Sequence, residues 1–166
     1  RNVSFSGRFS SSGYASNSVA RAKPLRRLSV TLQLDLAGGN SLSGLVSDGQ
    51  WTAELVANRD VFSNAHPAPE AGKRYTVLLP GGADSLGQPG GDSLGTLSVN
   101  AAGMVRFSGS LADGTKVSQS AFLSAAEQWP LFVTTYRNAG LMLGWLAFTN
   151  ASDTDLSGFV DWFKLA

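Results

Sequence analysis

The residues of this chain able to do acid–base or nucleophilic chemistry are few and scattered. A single histidine, His66, stands inside the stretch His-Pro-Ala-Pro, and a Ser-His-Asp triad built on it would require that stretch to reach both a serine and a carboxylate across the fold. Glycoside hydrolysis needs two carboxyl groups about 5 to 10 Å apart beside a cleft, and Asp35, Glu54, Asp60, Glu127 and Asp161 form no recognisable motif for it. The absence of cysteine excludes disulfides, thiolate metal sites and a cysteine nucleophile. Asp84-Ser85-Leu86-Gly87 and its echo Asp92-Ser93-Leu94-Gly95 have the acid and glycine content of a calcium loop, but two carboxylates in one loop are too few for an ion that takes six or more oxygens. The expectation is a protein that is not an enzyme and carries neither metal nor cofactor.

Recognition has better material. A sugar is held by laying its flat apolar face on an exposed Trp or Tyr, with Asn, Gln and Asp hydrogen-bonding at the rim. Trp51 follows the Asp48-Gly49 turn and Trp129 precedes Pro130 at the head of an apolar run, positions that leave a ring partly exposed. With Tyr136 they are the candidate ligand-binding residues. The competing reading is that Trp51 and Trp129 cap the ends of a core, where large aromatics usually sit. Trp145 in LMLGWLAF and Trp162 in FVDWF read as core residues.

The elements that must position these side chains are strands. From Leu28 to Leu36, Leu28, Val30, Leu32, Leu34 and Leu36 alternate with Ser29, Thr31, Gln33 and Asp35, a period of two that a helix cannot keep on one face. Trp51, Ala53, Leu55 and Ala57 repeat the pattern, as do Val105, Phe107, Gly109 and Leu111. Asp48-Gly49 and Asp113-Gly114 are hairpin signals, and Gly38-Gly39-Asn40, Ala102-Gly103 and Asn138-Ala139-Gly140 supply further turns. The spacing predicts an all-β fold, an antiparallel β-barrel or barrel-like sandwich of about 10–12 strands; a pair of small separate sandwiches is the alternative.

Short stretches also match at long range. Phe5-Ser6-Gly7 aligns with Phe107-Ser108-Gly109, Ser16-Asn17-Ser18 with Ser118-Gln119-Ser120, and LSVTLQL at Leu28 with LFVTTYR at Leu131. Self-similarity of this kind points to two pseudo-repeated modules that pack together, each covering the other's apolar face. The expected division is a first module over 1–63, a Pro- and Ala-rich connecting segment over 64–73, and a second module over 74–166 packed with the first as one unit. The lead-in 74–100 has no counterpart before Arg1, so the first module is expected to be truncated at its N-terminus and to expose an open sheet edge.

Only 15% of the residues are charged and the net charge is +1, which offers no footprint for nucleic acid. No apolar run approaches the roughly 18 residues of a membrane helix, so no membrane insertion is expected. The succession SLSGLVSDGQWTAELVANRDVF, AGKRYTVLLP, GTLSVNAAGMVRFSGSLADGTKVSQSAFLS, QWPLFVTTY and LGWLAFTN resembles an uncharacterised β-rich region near the C-termini of very large bacterial secreted proteins with immunoglobulin-like repeats. The resemblance implies export, a secreted or cell-surface setting and a further β segment upstream, but no activity. The expected function is a non-catalytic structural or adhesive module of a larger protein, with a carbohydrate-binding module as the alternative and a carboxylate-based glycoside-active enzyme behind both. The expected partners are a polysaccharide or another β domain met at an open sheet edge.

Overall fold

A computed structural model describes residues 4–82, 89–149 and 151–164, and the chain is all-β: three antiparallel sheets in which every ladder joins strands adjacent in sequence. The chain divides into two compact units at Arg59 and Asp60.

The first unit is a four-stranded meander of β1 (Tyr14–Val19), β2 (Leu28–Leu34), β3 (Ser41–Ser47) and β4 (Thr52–Asn58). The alternation seen in the sequence sorts its two faces. One carries the cross-strand rows Ala15-Leu32-Gly44-Leu55 and Asn17-Val30-Val46-Ala53; the other carries Ser18-Ser29-Ser47-Thr52 and Ser16-Thr31-Leu45-Glu54. Gly49 turns the β3–β4 hairpin at φ 86°, a left-handed conformation that a side chain would strain.

The second unit stacks two sheets. β5 (Arg74–Leu79), β6 (Ser93–Val99), β7 (Met104–Ser110) and β8 (Lys116–Phe122) form one, and β9 (Gln128–Thr135), β10 (Gly140–Phe148) and β11 (Leu156–Lys164) form the other. Between them lies one core built from Val77, Leu97, Val105, Phe107, Trp129, Leu131, Met142 and Leu146, among others. The Phe107 ring meets the Trp129 ring at 5.1 Å between centroids, and it fits because Gly95, diagonal to it on β6, has no side chain: a Cβ there would lie 2.5 Å from a Phe107 ring carbon.

The sandwich is sealed on one side and open on the other. On the sealed side Gln119 of β8 accepts from Trp129 Nε1 at 3.1 Å and donates to the Pro130 carbonyl at 2.9 Å, bridging to β9. On the open side β5 and β11 are end strands of their sheets, and of their inward residues Val77 is buried while Tyr75, Leu79, Leu156, Val160 and Trp162 are only partly so. No barrel closes among the described residues, which settles the expected fold on its sandwich-like form.

Residues 64–73, expected to connect two modules, pack into the second unit. Ala68 and Glu70 are buried, the Ala68 N–H donates to the Ala101 carbonyl at 3.0 Å, and that of Gly72 donates to Val99 at 2.9 Å. Glu70, 0% exposed, accepts from the Tyr75 hydroxyl and pairs with Lys73 Nζ at 2.8 Å. Burial first, then the Glu70 carboxylate, pushes the Tyr75 phenol far above its ordinary range.

Candidate functional site

The outward face of β9–β11 stands apart from the rest of the surface. Alternation sends Trp129, Leu131 and Val133 of β9 into the core, so Pro130, Phe132 and Thr134 point away from it. The antiparallel register then sets three rows across the sheet: Pro130-Trp145-Phe159, Phe132-Leu143-Asp161 and Thr134-Leu141-Phe163. Phe132, Leu143, Trp145, Phe159 and Phe163 are all exposed, Phe159 at 94% and Trp145 at 39%. At roughly 150–250 Å² for a whole aromatic side chain, these five present on the order of 500 Å² of apolar surface, as large as the biggest patches of soluble monomers.

The fold does not demand such a face. On the corresponding face of the first unit Tyr14, Leu45 and Val56 are exposed, but they are set among serine, threonine, glutamine and glutamate, whereas here two of three rows hold two exposed apolar side chains each. One acid, Asp161, interrupts the face between Phe159 and Phe163 on β11. The two edges of this sheet also differ. β9 is blunted by Pro130, which has no N–H, and by the Gln119 amide on its carbonyl. Among the described residues no hydrogen bond outside the β10 ladder reaches the backbone from Ser157 to Lys164.

A second feature lies at one end of the second unit. Asp113, in the β7–β8 turn, accepts from the Tyr136 hydroxyl at 2.5 Å and lies 3.4 Å from Lys164 Nζ, while that ammonium sits 4.9 Å above the Tyr136 ring. The Tyr136 hydroxyl holds the Asp113 carboxyl well below the usual carboxylate range, with the Thr115 and Lys164 contacts adding to it against a desolvation that works the other way. Burial, then Asp113, raises the Tyr136 phenol. Tyr136, Arg137 and Asn138 all have left-handed backbone, at φ 50°, 56° and 73°. Beside this clamp opens a cleft of about 1050 Å³ lined by Leu79, Gly81, Met142, Val160, Asp161 and Trp162, with further neighbours.

Of the three residues expected to bind a ligand, Trp129 and Tyr136 form no common surface in the second unit, and Trp51 belongs to the first. Trp129 is 1% exposed and spends its indole N–H on Gln119, so it belongs to the core and presents no platform; its place before Pro130 marks a strand start that faces inward. Tyr136 is engaged by Asp113 and Lys164. Trp51 is 45% exposed, in the first unit, next to the β3–β4 turn. Trp145, expected in the core, stands on the open face instead. Asp92 accepts from the Gly81 N–H at 2.8 Å, Asp84–Gly87 lies outside the described residues, and no group of three or more potential metal ligands occurs among the described residues. No helix of the described residues is long and apolar enough to cross a membrane.

Comparison with known protein families, with curated proteins and with solved structures finds no match to this chain.

Proposed function

We propose that this chain is a non-catalytic adhesive β module that joins a larger secreted or cell-surface protein to another β domain, sheet against sheet, through the outward face of β9–β11. The observation that carries the reading is the apolar face itself, Phe132, Leu143, Trp145, Phe159 and Phe163 on one regular sheet. Leu143 at its centre and three phenylalanines around it offer contact area without hydrogen-bonding handles, which suits a stacked protein sheet better than a hydroxyl-rich sugar. The extracellular setting rests on the resemblance described above.

A carbohydrate-binding module is the second reading, favoured by Trp145 and Phe159 standing as an exposed cross-strand aromatic pair beside Asp161. Intrinsic tryptophan fluorescence titrated with soluble plant, algal and bacterial polysaccharides separates the two. The adhesive reading expects a flat response in the wild type. A saturable shift that disappears in Trp145→Ala overturns it in favour of sugar binding.

A further inference from the structure

We infer that the β domain received by the face of β9–β11 is a second copy of this chain, stacked about a two-fold axis near Leu143. The inference rests on the adhesive reading and names its partner.

Three observations select a second copy. First, the face is self-complementary. A two-fold axis presents the same patch to itself, so every group on it must tolerate its own kind or its neighbour's. Among the patch residues only Asp161 is charged, and it lies on the end strand β11, across the sheet from Phe132 on β9. An axis lying between the stacked faces over Leu143 and parallel to β10 sets β11 of each copy over β9 of the other, so the two Asp161 carboxylates fall at opposite margins of the interface. Second, the area is right. The patch offers on the order of 500 Å² of apolar surface, and the neighbouring Pro130, Thr134, Leu141 and Ser157 bring it toward the roughly 800 Å² per partner of a stable interface. Third, the stacking is one this sheet already makes: β9–β11 lies on β5–β8 through a layer of large apolar side chains. The outward face repeats that chemistry on the other side of the same three strands.

The relevant positions are open to substitution without touching the core. Phe159 is almost fully exposed, so Phe159→Lys leaves the inward residues of β11 in place while setting a charge into the proposed interface. Sedimentation velocity of the full chain from 1 to 100 µM is expected to show a monomer–dimer equilibrium for the wild type. Phe159→Lys is expected to raise the dissociation constant at least tenfold with an unchanged circular dichroism spectrum, and with an unchanged melting temperature when both proteins are compared below the wild-type dissociation constant. The absence of native cysteine allows a second measurement: Leu143→Cys is expected to form a disulfide dimer on oxidation, and Ser43→Cys on the polar face of the first unit is not.

A wild type that stays monomeric at 100 µM overturns the inference. So does a dimer indifferent to Phe159→Lys, or one that cross-links at Ser43→Cys and not at Leu143→Cys. A monomer with a flat polysaccharide titration removes the second copy and leaves the adhesive reading standing. A monomer with a saturable, Trp145-dependent titration removes both.

Discussion

The Tyr136 hydroxyl donates to the Asp113 carboxylate at 2.5 Å, linking the β9–β10 turn of one sheet to the β7–β8 turn of the other. Gln119 makes the corresponding link along the β8–β9 side. Apolar burial holds the two layers face to face without fixing their lateral position, and these two polar clamps supply that registration.

The Asp113 clamp gives the module a defined acid response. Its folded carboxyl titrates well below the unfolded value near 4, so the unfolded chain binds the proton more readily. The stabilisation is therefore whole above about pH 5 and is lost progressively as pH falls below 4 toward the folded value. Tyr136→Phe is expected to lower stability by about 1 kcal/mol at pH 7, the scale of a partly solvated hydrogen bond to a charge. Urea denaturation at pH 7 and pH 3 checks this, with the difference between variant and wild type shrinking at the lower pH.

Trp129 and Trp145 are expected to behave in opposite ways. Trp129→Ala empties a fully buried site and strands Gln119, at a cost of about 3–5 kcal/mol. Trp145→Ser removes an exposed apolar ring and should change the stability of the monomer by less than about 1 kcal/mol. Chemical denaturation of both variants in dilute solution decides it; equal losses would contradict the inward and outward assignments.

Gly144 of β10 leaves no room for a side chain against β11. A Cβ there would lie 2.2 Å from the Phe159 carbonyl oxygen, and only movement of backbone can relieve that. Gly144→Ala is expected to cost about 2 kcal/mol or more through lost β10–β11 pairing. Hydrogen exchange should quicken at the amides that hold this ladder while those of β6 and β7 stay protected.

The turn from β9 to β10 stores strain in Arg137, whose φ of 56° is left-handed and whose side chain is exposed. Arg137→Gly is expected to raise stability by about 0.5 kcal/mol, the relief of strain exceeding the added entropy of the unfolded chain. A melting temperature below that of the wild type would show that Arg137 contributes a contact of its own.

Most of the strands were legible because period-two alternation and Asp-Gly turns report directly on backbone geometry. The alternation from Leu28 to Leu36 marks a strand, and the strand runs from Leu28 to Leu34, ending where Asp35 caps the following turn by accepting from the Ala37 N–H. Which face looks outward was not legible where both faces are apolar. In LMLGWLAF nothing in the sequence separates Met142 and Leu146, which are buried, from Leu143 and Trp145, which are not. That choice is made by β5–β8, which covers one side only. The packing of residues 64–73 was hidden for a different reason. Pro67 and Pro69 signal an irregular backbone, but an irregular backbone can still be buried when its N–H groups find strand carbonyls, as Ala68 and Gly72 do.

The pairing of every strand with its sequence neighbour has a kinetic side. Each of the three sheets can form by adding one hairpin at a time, so loop closure stays short and the contact order of each sheet is low for a β protein. What remains non-local is the docking of β9–β11 on β5–β8, led by Trp129 meeting Phe107 and Gln119. A chain of this kind can acquire its first two sheets in the order in which its residues emerge from a ribosome, before the residues of β11 arrive to complete the third.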